Sequence, residues 1–324
     1  MRPIEVRDLR KAYGPVQAVD GVSFEIERGE VFALLGPNGA GKTTVVEIIE
    51  GHRTADSGEV RVLGHDPGRR ERTLRERIGI VLQDAGFDED ATVVELVRLH
   101  RNLYPRRLDA DAVLELVGLT AKRSARVRTL SGGQKRRLDL ALGLVGAPEV
   151  LFLDEPTVGF DPEARRQAWS IVRDLRANGT TVLLTTHYLD EAQHLADRVA
   201  VVVAGRLVAL GAPDELAAHG RATVIGFRTA EPTDAAKVAP DGAAAIVGLP
   251  AALGDGAAVE RDGAEWRVTT DDATRTLHEI TNWSLERRVP LDAIEVRRPT
   301  LEDAYLELVG ERAVHAGTDE AVPA

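Results

Sequence analysis

The apolar positions of this chain change their spacing from one stretch to the next, and each spacing predicts an element. Near the N-terminus apolar and polar residues alternate, at Ile4 and Val6 and then at Val22, Phe24 and Ile26, as in strands with one buried face. Residues 31–35 are apolar throughout, which fits a strand covered on both faces. A glycine-rich turn follows, and residues 43–50 then carry apolar side chains at helical spacing. Buried strand, glycine loop and helix in that order predict a parallel sheet at this point. Residues 88–150 read as mainly helical, from Val93, Val94 and Val97 and from Val113, Leu116 and Val117. Residues 150–153 and 182–186 are again short apolar strands with a helix between them. Strands alternating with helices predict an α/β fold with a three-layer core.

After about residue 213 the texture changes. Gly, Ala and Asp dominate 240–258, a loop or boundary region. Residues 257–261 and 264–270 flank Asp262-Gly263 as a hairpin, with Trp266 and Val268 on one face. Leu277 and Ile280 predict a helix, Ile294 and Val296 a strand, and Thr300 with Asp303 a capping pair that opens a last helix over 301–309. The expected organisation is a domain over 1–213, a small α+β accessory domain over 214–310 and a flexible polar tail over 311–324. No internal repeat is evident.

Composition narrows the partners. The formal charge of −11 repels a phosphate backbone, so no nucleic acid is expected as a partner. There is no cysteine, which excludes disulfides and thiolate metal sites and fits a reducing compartment. Lys11, Lys42, Lys122, Lys135 and Lys237 are the only lysines. The N-terminus lacks the apolar core of a signal peptide. No window reaches the roughly 18–20 uninterrupted apolar residues of a bilayer span; the best run, 199–210, is broken by Gly205 and Arg206. Any membrane role therefore runs through another polypeptide.

One of the scarce lysines falls inside G-P-N-G-A-G-K-T-T at 36–44, a full match to the phosphate-binding loop G-x-x-x-x-G-K-[ST]. Gly36, Gly39 and Gly41 let backbone N–H groups turn inward as an anion nest at a helix N-terminus. Lys42 would reach the β- and γ-phosphates of ATP and the Thr43 hydroxyl would ligate Mg²⁺, with Asn38 and Thr44 as further nucleotide contacts. The apolar strand at 150–153 delivers Asp154 and Glu155 at its end. Asp154 suits the Mg²⁺-holding role opposite Thr43. Glu155 is a candidate to orient or deprotonate the attacking water. The strand at 182–186 runs into His187, a candidate partner for a γ-phosphate.

Leu130-Ser131-Gly132-Gly133-Gln134 lies between that loop and Asp154-Glu155. Two glycines before a predicted helix at 134–144, led by Ser131, make a second dipole-assisted anion site. This pentapeptide resembles the signature of ABC ATPases. With Gln83 and His187 also in order, the resemblance to an ABC nucleotide-binding domain covers about residues 4–210. It implies a P-loop core with an N-terminal antiparallel β part and a helical subdomain at about 84–150. One chain has two phosphate-binding helix ends but a single lysine cradle. In the ABC family a head-to-tail dimer resolves this, one subunit's signature closing on the other's nucleotide.

The resemblance further implies that Tyr13 stacks on adenine and that Gln83 senses Mg²⁺ and water and touches the membrane partner. It implies that Asp161 belongs to the cross-dimer loop. Phe160 stands where Leu is commoner, a size-preserving apolar change. Glu155, the signature and His187 are intact, so an active homodimer is expected.

The closing segment 298–310, the stretch Gln83-Asp-Ala-Gly-Phe87 and the extra domain resemble bacterial drug-exporter ATPases of the daunorubicin-resistance type. That implies a second ATPase subunit, a separate polytopic membrane permease, a place at the cytoplasmic face of the cell membrane, and export of a drug, lipid or related amphiphile. An importer motor with a regulatory C-terminal domain shares all the nucleotide chemistry and stays open as an alternative. A non-transport ABC ATPase fits less well. The stretch from Lys42 to Ser131 is too short for the coiled coils of chromosome-type members, and translation-type members carry two cassettes.

Overall fold

The computed structural model describes residues 2–81, 86–219, 223–229, 249, 253, 257–298, 300–306 and 308–309. They pack as two units, Met1–Pro213 with residues 308 and 309, and Asp214–Glu307. Gln83, most of the Gly/Ala/Asp-rich stretch and the tail at 311–324 lie outside the described residues.

In the first unit an antiparallel sheet of order β2-β1-β4 forms from β1 (Ile4–Tyr13), β2 (Val16–Ile26) and β4 (Ser57–Val62). β1 and β2 run further than the apolar alternation predicts, because backbone pairing continues past Leu9 through half-buried polar positions such as Arg10 and Asp20. The second sheet has the order β5-β6-β7-β3-β8-β9. Its strands are β3 (Val31–Leu35), β5 (Ile78–Val81), β6 (Val150–Asp154), β7 (Thr181–Thr185), β8 (Arg198–Val203) and β9 (Arg206–Gly211). All neighbours pair in parallel except β8 with β9.

The register sets Phe152 beside Leu183, Leu183 beside Phe32, and Leu34 beside Ala200. That face packs against α1 (Lys42–Ile49) and the antiparallel sheet in one buried cluster. The opposite face is covered by α5 (Gly132–Leu144), α6 (Pro162–Ala177) and α7 (Leu189–Leu195), which lie against β5, β7 and β3. Cover on both faces explains why these strands are apolar at every position. The short α2 (Arg72–Arg75) precedes β5. α3 (Val93–Arg101) and α4 (Ala110–Leu116) pack against each other and against α5.

α5 comes unusually close to β5. A Cβ on Gly79 would sit 2.2 Å from the Gly143 carbonyl oxygen, and one on Gly143 would meet Val81 at 2.7 Å. Two glycines thus set the depth of the helix that the signature opens.

The second unit has a four-stranded antiparallel sheet of order β11-β12-β10-β13, built from β10 (Thr223–Thr229), β11 (Ala257–Asp262), β12 (Glu265–Thr270) and β13 (Leu291–Arg297). The expected hairpin forms, with Asp262-Gly263 at its turn. α8 (Pro213–His219) precedes β10, and α9 (Ala273–Arg287) lays Ile280 and Trp283 on Ile225, Phe227, Trp266 and Val268. The Trp266 indole N–H donates to Thr229 Oγ1 at 3.1 Å. Residues 301–306 are helical. Thr300 and Asp303 cap that start reciprocally, and Arg297 pairs with Asp303, holding its carboxyl well below the usual range.

Two stability predictions follow from the first unit. Gly79→Ala has no backbone strain to relieve and should cost about 1–3 kcal/mol through the clash with α5, read as a lowered urea midpoint; an unchanged midpoint would mean the helix yields freely. Glu50, buried at the end of α1, has its carboxyl pushed up to about 8, mainly by burial, with Asp154 and Glu47 adding to it. Its contribution to stability is complete below the ordinary glutamate value of about 4.3 and disappears as pH rises through about 8. A Glu50→Gln variant should therefore lose less stability than the parent between pH 5 and 9. Parallel urea midpoints across that range would show that Glu50 is not the titrating group.

Candidate functional site

The turn after β3 is shaped by contacts on both flanks. A Cβ on Gly36 would fall 2.2 Å from the Val202 carbonyl oxygen of β8, and one on Gly41 would fall 2.2 Å from the Ala18 carbonyl oxygen of β2. Gly41 also takes the left-handed conformation, φ 98°, as the N-cap of α1. The first-turn N–H groups of α1, from Lys42 to Thr44, have no carbonyl one turn earlier to accept them. Asn38 and Gly39 are exposed, as is Thr43, while Lys42 is buried. The Lys42 ammonium donates to the carbonyl oxygens of Gly36 at 2.7 Å and Pro37 at 3.1 Å. Burial lowers its pKa, against the opposing pull of Glu155 and Asp154. The loop lysine and the acid pair, far apart in sequence, therefore act on each other in the fold.

Asp154 ends β6, where the Thr185 hydroxyl of the neighbouring strand donates to its Oδ1. Glu155 takes φ 47°, a left-handed conformation uncommon for a residue with a Cβ. Surrounding bonds over-determine it, as is usual where strain marks a functional position. Its N–H donates to the Thr185 carbonyl at 3.0 Å and lies 3.2 Å from the Thr185 hydroxyl. From α5, the Arg136 guanidinium donates to three successive carbonyl oxygens: Asp154 at 2.6 Å, Glu155 at 2.7 Å and Pro156 at 3.3 Å. The aimed Glu155 carboxylate lies 3.1 Å, Oε1 to Nδ1, from His187. The His187 ring lies tilted against Tyr188, 4.2 Å between ring centres, and the Arg165 guanidinium lies over the Tyr188 ring.

Arg136 and Thr185 escaped the sequence reading. Arg136 sits in the run Lys135-Arg136-Arg137, which reads as a solvated charged face. Only the position of β6 beneath α5 singles it out.

The other candidates are more scattered. Tyr13, at the end of β1, is 40% exposed, with the cations of Lys11 and Arg53 at 5.6 and 5.5 Å from its ring centre. Asp161 caps α6, accepting from the N–H groups of Glu163 and Ala164. Ser131 caps α5: its hydroxyl accepts from Gln134 N–H at 3.3 Å, and the Gln134 side chain accepts from Ser131 N–H at 3.1 Å. Cβ atoms on Gly132 and Gly133 would meet nothing within 4 Å, and neither glycine has positive φ. Their own subunit does not require them to be glycine, although each weakens a helix by roughly 1 kcal/mol against alanine.

These parts suit a nucleoside triphosphate. The loop has free amides and a buried cation, and no side chain can fill the space beside Gly36 or Gly41. No cluster of three or more metal-ligating side chains exists among the described residues. A hydroxyl and one carboxylate suit Mg²⁺, which keeps phosphate oxygens and waters as its remaining ligands. No helix among the described residues is long and apolar enough to cross a membrane.

The likenesses of the chain agree with this geometry. The ABC transporter family model matches residues 19–158, and a C-terminal domain model of ABC transporter domain-containing protein-like proteins matches 239–300. Daunorubicin resistance ATP-binding protein DrrA3 of Streptomyces coeruleorubidus is 39% identical over 313 residues, covering 95% of this chain and 96% of that protein. Nod factor export ATP-binding protein I of Paraburkholderia xenovorans is 44% identical over 220 residues, 66% of this chain and 72% of its own length. A solved ATP-binding subunit of an ABC transporter matches with a TM-score of 0.62 at 27% identity, over 67% of this chain and 92% of that one. With its lysine cradle, its strained acid beside a histidine and a relative matched almost end to end, the chain belongs to the ATP-binding proteins of the ABC transporter family.

Proposed function

We propose that this chain is the ATP-hydrolysing motor of an exporter, moving a drug, lipid or other amphiphile through a separate polytopic membrane permease. In this reading residues 1–213 form the ATPase domain and 214–310 an accessory domain, and the protein sits peripherally at the cytoplasmic face of the membrane. The observation that carries the chemistry is Glu155, fixed in a left-handed conformation with its carboxylate 3.1 Å from His187. Near full-length likeness to a daunorubicin resistance protein supports the direction of transport and the class of cargo.

The loop 36–44 binds the phosphates through its amides, and Lys42 exchanges its bonds to Gly36 and Pro37 for phosphate oxygens. Thr43 and Asp154 would hold Mg²⁺, with Gln83 as a further contact. The ion would supply positive charge against the negative charge that develops in transfer. Tyr13 stacks on adenine. Glu155 orients the attacking water and takes its proton, and His187 holds the far side of the γ-phosphate.

A second copy of the chain completes the site. Gly132 and Gly133 leave open space at the start of α5 that their own packing does not require, as an approaching nucleotide would. Ser131 to Gln134 would then meet the nucleotide bound by the partner copy, with Asp161 at the junction. Nucleotide affinity differing between open and closed dimers drives the permease, and hydrolysis resets it.

Glu155→Gln should reduce ATP turnover at least 100-fold, while ATP binding persists and gel filtration with ATP shows a larger species; undiminished turnover would remove Glu155 from the chemistry. Ser131→Arg tests the shared site. It should abolish turnover while leaving ATP affinity of the dilute protein within a few-fold, and parent activity should rise more than linearly with protein concentration. Strictly linear activity that survives the substitution would mean each chain works alone.

A further inference from the structure

Behind the acid pair, on the side away from the loop, one carboxylate joins three segments of the site. Glu191, in the first turn of α7, is fully buried. Its Oε1 accepts the Trp169 indole N–H from α6 at 3.1 Å. The Trp169 ring also stacks on His194 of α7, 4.9 Å between ring centres. Glu191 Oε2 and the Thr157 hydroxyl are both buried, and neither meets another side chain at full hydrogen-bonding geometry. Both residues line a cavity of about 10 Å³, with Pro156 and Trp169, which is room for one water. Burial raises the Glu191 pKa, and the hydrogen-bonding pull of the Thr186 and Thr157 hydroxyls and of the Trp169 indole opposes that rise.

Buried polar atoms held short of full hydrogen-bonding geometry are costly unless a water completes them. A single water accepting from the Thr157 hydroxyl and donating to Glu191 Oε2 satisfies both. Thr157 lies two residues after Glu155, and Glu191 four residues after His187. Trp169 lies two turns into the helix that Asp161 caps. We infer that Glu191 is a positioning residue for hydrolysis: through Trp169 and one bridging water to Thr157 it holds the 155–161 segment against the turn that carries His187. It sets the Glu155–His187 separation without touching nucleotide.

This inference rests on the hydrolytic role proposed for Glu155, and kinetics separate the two. Thr157→Val removes one hydroxyl at constant volume. It should lower kcat three- to tenfold while the KM for ATP stays within twofold and the melting temperature changes little. Glu191→Leu removes both bonds and should lower kcat at least as far. The double variant should be no slower than Glu191→Leu alone, because both substitutions break one link. Glu191→Gln, which keeps polar atoms toward Trp169 and the water, should recover kcat to within twofold of the parent.

If Glu191→Leu fails to fold, Thr157→Val and Glu191→Gln still carry the test. An unchanged kcat in folded Thr157→Val, or multiplicative effects in the double variant, overturns the inference while leaving Glu155's role intact. Loss of the Glu155→Gln effect overturns the hydrolytic role itself.

Discussion

One guanidinium ties the two halves of this ATPase site together. Arg136 reaches from α5 to three successive carbonyl oxygens at the end of β6, and charge-assisted bonds of this kind are roughly twice as strong as neutral ones. They hold the peptides on either side of Glu155 and so sustain its left-handed conformation. The same side chain links the helix opened by Ser131 to the strand that delivers the acids. Its reach depends on how deep α5 lies, which Gly79 and Gly143 set by letting the helix meet β5 at backbone distance. A helix start facing outward and an acid facing inward are thus parts of one rigid connection.

Much of this was legible in the residues. The phosphate loop, the acids after an apolar strand and the histidine after another are short-range patterns, and each side chain sits at the end of a strand that the pattern itself predicts. The hairpin around Asp262-Gly263 and the Thr300–Asp303 cap were readable for the same local reason. The connections between motifs were not. Thr185 reads as the last residue of a core strand, and its bond to Asp154 exists only because β7 lies beside β6. Arg136 hides in a basic run. β4 and β5 are short and carry charged or glycine residues within them, so their alternation is too weak to predict a strand before a partner is known. Ser131, expected at a second anion site, and Asp161, expected in the cross-dimer loop, each cap the helix they precede.

The capping roles are compatible with a second task. A helix start that already has its serine and glutamine bonded to each other is a defined surface. The two glycines that follow keep that surface low, and the slight helical cost they impose is offset by the packing of α5 on the sheet.

The flanks of the phosphate loop carry one more consequence. Gly36 and Gly41 touch carbonyl oxygens that belong to different sheets, β8 on one side and β2 on the other, and Gly205 N–H bonds back to the Ala40 carbonyl. The cradle is gripped at both of its ends between two walls. The entropy of arranging it is lost once, when the chain folds, so little of a triphosphate's binding energy goes to ordering the loop. That energy stays available for work elsewhere, which is what a motor requires of the place where its fuel enters.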